Sequence, residues 1–277
     1  MEKYKMVERS IIKTYRKEIW AKFVKAVKDY DLISEGDKIM VCISGGKDSF
    51  LLAKLLEEMA KHGESPFELE YVVMDPGYDE EARQRIVDNA KLLNLDIQIF
   101  ETDIFKVIDK IAKESPCYMC ARMRRGYLYD KARELGCNKI ALGHHFDDVI
   151  ETTLLSMLYG AEVKTMVPKV TSSNYSGLEL IRPMTLIKER DILNWVRYNG
   201  LEFINCACDF TKRPEHAAGK RMEIKRLIDQ FRKIDDNIDH NIYKSMENVN
   251  LECVLGYTYK DIHKDFNDIF KGKGDNL

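Results

Sequence analysis

The chain has 277 residues, 44 Lys and Arg against 46 Asp and Glu, a formal charge of −2 and 45% hydrophobic residues. That length carries one large domain, or one domain with a substantial appendage, around a sizeable core. The charge balance excludes a chain coated in positive charge, no apolar run approaches the ~20 residues that a bilayer requires, and the charged start Met1 to Arg9 has no apolar signal region. A cytoplasmic location and no membrane partner are therefore expected.

Lys and Arg do cluster, at Lys3, Lys5, Arg9, Lys13, Arg16 and Lys17, at Arg122, Arg124 and Arg125, and at Lys212, Arg213, Lys220, Arg221, Lys225 and Arg226. For any single cluster, a solvated helix face interleaved with acids is the plain reading.

Taken in chain order, Ile11, Ile12, Tyr15, Ile19, Phe23 and Val27 recur at helical spacing, which predicts an amphipathic helix from about Glu8 to Tyr30. Gly36-Asp37 breaks it. Lys38 to Ile43 is a short apolar run bounded by turn residues, hence a buried strand. A helix follows from Ser44-Gly45-Gly46 to about Lys61. Strands at 69–74, 97–100 and 139–142 then alternate with helices at 80–93, 104–112, 123–135 and 146–158, with Cys117 opening a turn. This alternation predicts βαβ units. The expected fold is α/β: a doubly wound, mainly parallel five-stranded sheet, its fifth strand at 178–182, whose strand C-terminal ends form the ligand edge. Beyond Gly160 the pattern changes. Residues 172–177 read as a loop, 188–198 and 213–233 as helices, and 246–277 is poorly periodic. The expected division is an N-terminal helical segment (1–35), a nucleotide domain (36–185) and a C-terminal helical region (186–277).

Ser44-Gly45-Gly46-Lys47-Asp48-Ser49 sits between the first strand and its helix. Two glycines allow close approach of backbone to an anion, and helix-start N–H groups favour phosphate. Lys47 can neutralise charge, and Asp48 can reach a metal. The spacing is neither that of a Walker loop nor that of a dinucleotide turn. The bland alternative is a tight turn with serine caps.

With its flanking strand and helix, SGGKDS resembles the PP-loop signature. The resemblance implies the adenine nucleotide α-hydrolase (HUP-like) fold, ATP cleavage between the α and β phosphates, adenylation of a substrate oxygen, and displacement of AMP by a nucleophile.

A second block, ALGHHFDDVIETT from Ala141 to Thr153, follows a strand and opens a helix. Gly143 permits close ligand approach, and Asp147 and Asp148 lie in the first turn, where the macrodipole favours carboxylates. Two acids at the ligand edge suit Mg²⁺ bridging phosphates. His144 and His145 read equally well as packing or capping histidines. Asp75-Pro76-Gly77-Tyr78, at the second strand's end, is placed to touch adenosine or metal, though alone it passes as a turn. Both segments resemble the tRNA 2-thiocytidine synthetase branch of the PP-loop group.

Seven cysteines are present, an odd count that makes a disulfide framework unexpected. Cys117 and Cys120 form a C-x-x-C followed by three arginines, and Cys206-Ala207-Cys208 comes much later. Spacing leaves three readings open: a closed zinc site, a dithiol pair, or an iron–sulfur cluster on three cysteines. C-x-x-C-x-R-x-R-R-G resembles the first cluster segment of that family, which implies a [4Fe–4S] cluster on Cys117, Cys120 and Cys206. The family commonly has C-x-x-C at the later site, where this chain has C-x-C, which leaves Cys208 as the substitute. The resemblance also places a basic catalytic residue at Arg124. Cys42 reads as packing within the first strand.

Together these features imply an ATP-dependent tRNA thiolase. Ser44, Gly45, Gly46, Lys47, Asp48, Ser49, Asp75, Gly143 and Asp148 are the expected ATP and Mg²⁺ residues, and Asp48, Arg124 and Asp148 the catalytic ones. The implied partners are tRNA, held in part by the 213–226 helix, a sulfur donor (sulfide or a desulfurase persulfide), and in one expected state a second copy as homodimer. Another PP-loop reaction, such as a different tRNA thiolation, lysidine-type synthesis or small-molecule sulfur transfer, and a zinc-stapled nucleotide-binding module are the alternatives.

Overall fold

The computed structural model describes residues 2–63, 65–105, 107, 116–204 and 219–271, and leaves the side chains of residues 116–118, 120 and 121 undescribed. Contacts divide the chain into two compact units, Met1–Lys225 and Arg226–Leu277.

The first unit is built on a six-stranded sheet in the order β3-β2-β1-β4-β6-β5. Its strands are β1 Lys38–Ile43, β2 Glu68–Asp75, β3 Ile97–Glu101, β4 Lys139–Ala141, β5 Lys169–Thr171 and β6 Glu179–Ile181. Five of them run parallel, with Val41 opposite Tyr71 on one side and Ala141 on the other. The sixth, β5, pairs antiparallel with β6 and was not expected. It has only three residues, too few to show alternation, and it closes the edge that an all-parallel sheet would leave unpaired.

Period-2 alternation sorts β1 between two layers. Ile39, Val41 and Ile43 join a core with Phe50, Leu51, Leu55, Ile86, Leu93 and Trp195, while Met40 and Cys42 pack on the opposite face with Val72, Ala132 and Ile140. Helices Lys47–His62, Glu80–Leu92 and Glu189–Tyr198 thus cover one face, and helix Pro116–Glu134 the other. Because β1 has β2 on one side and β4 on the other, the order reverses at β1. The switch point lies between the C-terminal ends of β1 and β4, and ligands of such sheets bind in the crevice at that point.

The N-terminal helix runs from Lys3 to Asp29 and contains two π turns, Ser10–Thr14 and Arg16–Trp20. Ser10 Oγ donates to Val7 O and accepts from Trp195 Nε1 (3.1 Å) and Asn199 Nδ2 (3.0 Å), which ties the turn to helix Glu189–Tyr198. Lys54, fully buried, donates to Glu8 Oε1 (2.8 Å), to Glu57 and to Leu93 O (3.0 Å). Two segments, the N-terminal helix at Glu8 and the chain at Leu93, are thereby clamped to the helix that follows the glycine-rich loop.

Two further elements differ from expectation. Cys117 and Cys120 lie within helix Pro116–Glu134 rather than in a turn before it, since proline is well suited to a helix's first position. The poorly periodic tail holds an antiparallel hairpin, β7 Gly256–Tyr259 with β8 Ile262–Asp265, beside helices Ile238–Ser245 and Phe266–Lys271. The predicted helices over 104–112 and 213–233 fall partly outside the described residues, and the second is seen as Lys220–Ile234. Among the described residues no helix is long and apolar enough to cross a membrane.

At the far edge of the sheet, Lys139 Nζ lies 2.8 Å from Asp37 Oδ2, with both side chains 6% exposed. Burial pushes the Asp37 pKa up, but Lys139, the Ser34 N–H and Asn138 outweigh it and hold it below its ordinary value. A depressed carboxylate pKa contributes stability above the unfolded-state value, and that contribution is lost as the pH falls through the folded-state value. Lys139→Ala should therefore lower stability by about 3–5 kcal/mol in urea denaturation at pH 7. The gap to the parent protein should narrow below about pH 4 as Asp37 is protonated.

Candidate functional site

The loop after β1 is shaped by glycine. Gly45 has φ +86, and a Cβ there would lie 2.4 Å from Ile204 Cδ1 and 2.8 Å from Ile86 Cγ1. Gly46 caps helix Lys47–His62 in an extended conformation, which directs the first-turn N–H groups into the crevice. Ser49 Oγ donates to Gly46 O (2.8 Å) and accepts from Ser44 N (3.2 Å) and Ser44 Oγ (3.3 Å). Ser49 is thus a buried brace of the loop, whereas Ser44 is exposed beside it.

The loop after β4 meets the first one directly. A Cβ on Gly143 would sit 3.0 Å from Asp48 C and 3.1 Å from Asp48 O and Ser49 N. A side chain there would require one backbone to give by a few tenths of an ångström. The contact brings His145 between two acids: its Nε2 is 3.9 Å from Asp48 Oδ1 and its Nδ1 3.5 Å from Asp148 Oδ2. The His145 backbone N–H donates to Asp148 Oδ2 at 2.9 Å.

Burial raises the Asp48 pKa against the opposing pull of His145 and Lys47. Burial also works against ionised Asp148, but the His145 charge and N–H and Arg221 outweigh it and hold its pKa low. Asp48 Oδ1 is buried with no hydrogen-bond partner. An unsatisfied carboxylate oxygen facing a second acid across one imidazole fits a hard divalent cation.

Next to this pair, burial pushes the His144 pKa down to about 4, so its ring is neutral at neutral pH. Its Nδ1 is buried without a hydrogen-bond partner, as is Arg182 Nε. Arg182 is held by Nη1 donating to Val167 O at 2.5 Å.

Lys47 bridges Asp48 Oδ2 (3.0 Å) and Glu189 Oε1 (3.2 Å). Lys225 Nζ reaches the other Glu189 oxygen at 2.6 Å. Burial disfavours ionised Glu189, but the two lysines overcome this and bring its pKa down to about 2. Arg221 bonds Asp148 through Nη2 and Glu151 Oε2 through Nε, the latter at 2.9 Å. Asp147 Oδ2 accepts the Glu189 N–H at 2.7 Å, which fixes the start of helix Glu189–Tyr198 against the same site.

Asp75 lies at the C-terminal end of β2 and is buried, but its Oδ1 is engaged by the N–H groups of Gly77 (2.8 Å) and Tyr78 (2.7 Å). It shapes the turn, and the Tyr78 hydroxyl then donates to Ser44 O at 3.4 Å. The Arg124 guanidinium lies 5.6 Å above the Phe105 ring, which packs edge-on to Tyr78 at 6.5 Å. Arg124 is thus linked through two rings to the loop.

The thiolates of Cys117 and Cys120, together with Cys206 and Cys208, lie outside the described positions. The backbone places Cys117 and Cys120 at i and i+3 of one helix, hence on one face. Cysteines three residues apart with a third one later in the chain are a sequence arrangement of the kind that holds an iron–sulfur cluster. Burial pushes Cys42 up to about 12 and Cys137 up to about 11, so both remain protonated thiols.

The structure therefore assembles Ser44, Gly45, Gly46, Lys47, Asp48, Ser49, Gly143 and Asp148 at one crevice, with Asp75 behind its wall. Sequence reasoning did not assign Glu151, Arg182, Glu189, Arg221 and Lys225 to the site. The available signal was the i, i+3 acid pair Asp148 and Glu151 and the i, i+4 basic pair Arg221 and Lys225, whose meeting depends on tertiary contacts 36 to 73 residues apart.

A family model described as the PP-loop domain matches residues 15–213. A tRNA-cytidine(32) 2-sulfurtransferase of Coxiella burnetii is 36% identical over 231 residues, covering 81% of this chain and 87% of that protein. One from Vibrio cholerae is 37% identical over 231 residues, covering 81% and 72%. Among solved structures, the U34-tRNA thiolase NcsA from Methanococcus maripaludis with its [4Fe–4S] cluster is similar in fold, with a TM-score of 0.65, 22% identity, and coverage of 85% and 80%.

The two glycines at the crevice yield a direct test. Gly45→Ala places a Cβ in the left-handed region, at about 1–2 kcal/mol, and against two isoleucines. Gly143→Ala pushes on backbone that has little room to move. Each should weaken binding of a non-hydrolysable ATP analogue by roughly tenfold or more in calorimetry. Gly160→Ala, with no atom within 4 Å of the added Cβ, is the control and should leave affinity unchanged.

Proposed function

The chain belongs to the PP-loop family, and from that membership and the crevice geometry we propose that it uses ATP to replace the C2 oxygen of cytidine 32 in a tRNA with sulfur. The observation that carries the reading is the meeting of Gly143 with the Asp48–Ser49 peptide. It sets a phosphate cradle and a pair of acids side by side, in a chain that spans 87% of a curated tRNA-cytidine(32) 2-sulfurtransferase at 36% identity.

In this proposal the triphosphate lies over Ser44 to Lys47, its charge met by backbone N–H groups and by Lys47. Asp48 and Asp148 would hold Mg²⁺, which supplies charge neutralisation between phosphate oxygens. Tyr78 and the turn capped by Asp75 form the wall on the β2 side. The cytidine leaves its stack to enter, because its C2 oxygen is out of reach in a stacked loop. That oxygen forms a bond to the α-phosphorus as the bond from that phosphorus to the bridging oxygen breaks, and pyrophosphate departs. A sulfur nucleophile then forms the C2–S bond as the C2–O bond breaks, and AMP departs. An amide-like oxygen leaves poorly, whereas AMP leaves readily, which is why ATP is consumed.

Cys117, Cys120 and Cys206 would hold a [4Fe–4S] cluster, with Cys208 the substitute for the third ligand, and the cluster supplies the activated sulfide when bound. Arg124, braced on Phe105, stabilises negative charge that develops at C2. Neutral His144 offers a ring nitrogen beside the acids without adding charge. The tRNA backbone is met by the basic N-terminal segment and by the basic residues of the 213–226 stretch other than Arg221 and Lys225. The sulfur comes from sulfide, or from a cysteine desulfurase persulfide whose outer sulfur a thiol reductant brings to the sulfide level with two electrons, and the location is the cytoplasm.

Mass spectrometry of tRNA nucleosides from the host with and without the gene tests this reading. A 2-thiocytidine signal should vanish on deletion, return with the parent gene, and stay absent with Cys117→Ala or Cys206→Ala. Protein purified without oxygen should carry iron and inorganic sulfide. An unchanged thionucleoside profile on deletion, or zinc in place of iron, would overturn it.

A further inference from the structure

A nucleoside triphosphate brings about four negative charges, and the Ser44–Ser49 loop contributes one cation, Lys47, which Asp48 and Glu189 already share. More positive charge has to come from elsewhere in the fold. The first two turns of helix Lys220–Ile234 carry it to the crevice. Arg221 and Lys225, four residues apart and so on one face, reach Asp148 and Glu151 in one case and Glu189 in the other. Lys225 and Lys47 hold the two oxygens of the same Glu189 carboxylate, which sets Lys225 next to the loop's own lysine.

This stretch of helix is seated by more than charge. The Tyr159 hydroxyl donates to Glu223 Oε2 at 2.6 Å, the Lys220 ammonium lies 4.8 Å above the Tyr159 ring, and Ile224 is 1% exposed. The guanidinium is therefore delivered to the site by a docked element, although its own side chain is 55% exposed. That exposure leaves it free to reorient.

We propose that Arg221 and Lys225 are ligands for the β and γ phosphates of the nucleoside triphosphate, parked on Asp148, Glu151 and Glu189 until it arrives. The inference rests on the nucleotide role assigned above to Ser44–Ser49 and Asp148. When Asp148 turns to ligate the divalent cation, Arg221 loses half of its pairing, and the phosphate oxygens become its best acceptors. A guanidinium meets two phosphate oxygens with the same fork geometry that it uses here across two carboxylates. Glu151 and Glu189 then compete with phosphate for these cations rather than assist them.

Calorimetry on the full chain with Mg²⁺ and α,β-methylene ATP, with AMP as the second ligand, tests the assignment. Arg221→Gln should weaken binding of the triphosphate analogue by roughly tenfold, leave AMP affinity within about twofold, and be partly rescued in Arg221→Lys. Lys225→Met should act in the same direction. Glu151→Gln removes a competitor and should bind the analogue at least as tightly as the parent, which separates phosphate contact from mere seating of the helix. Equal triphosphate affinity in Arg221→Gln and the parent, equal losses for AMP and the triphosphate, or a loss in Glu151→Gln matching that in Arg221→Gln would overturn it. Failure of the parent protein to bind the analogue would count against the nucleotide role itself, whereas parent binding with an indifferent Arg221→Gln rejects this inference alone.

Discussion

The constraint on which the site depends is the absence of a side chain at Gly143. With hydrogen there, the strand exit after β4 lies in van der Waals contact with the peptide of Asp48 and Ser49. A methyl group would meet that peptide at 3.0 to 3.1 Å, so one loop would have to give by a few tenths of an ångström beside the contact that sets His145 between the two acids. The strand order places the contact where β1 and β4 diverge, so sheet topology and one missing atom group together determine where the charges converge.

Around that contact the charges form a chain rather than isolated pairs. Lys225, Glu189, Lys47 and Asp48 are linked in series, and Arg221 joins Asp148 to Glu151. Such a network resists desolvation because each buried charge has a partner, while removal of one member would leave its neighbour uncompensated. Asp48 Oδ1 is a buried oxygen without a hydrogen-bond donor, and His144 Nδ1, His145 Nδ1 and Arg182 Nε are likewise buried without partners. The same network makes the crevice responsive, since an incoming polyanion offers the three cations a stronger set of acceptors than carboxylates do.

Much of this was legible in the sequence because it is local. SGGKDS and LGHHFDD each sit at a strand end, and a strand end followed by glycine and acids restricts what the backbone there can do. That β1 is a buried strand was visible in the short apolar run KIMVCI for the same reason. What escaped is non-local or too short to carry a period. β5 offers three residues, one half-buried and two exposed. Lys220 to Arg226 reads as an ordinary basic helix until Asp148, Glu151 and Glu189 are seen opposite it. Ser49 looked like a phosphate donor, yet its hydroxyl is engaged within the loop. The π turns at Ser10–Thr14 and Arg16–Trp20 were not read from the apolar spacing, which was taken as one regular helix.

The account stands on cleavage of ATP between its α and β phosphates, coupled to sulfur insertion. The most direct measurement is a single-turnover assay in the absence of oxygen, with α-labelled ATP, unmodified tRNA and cluster-loaded protein, that follows nucleotide products and thiolated tRNA together. One AMP for each thionucleoside, with neither formed when tRNA is omitted, is the predicted result. Release of ADP, or AMP formed at the same rate without tRNA, would contradict it.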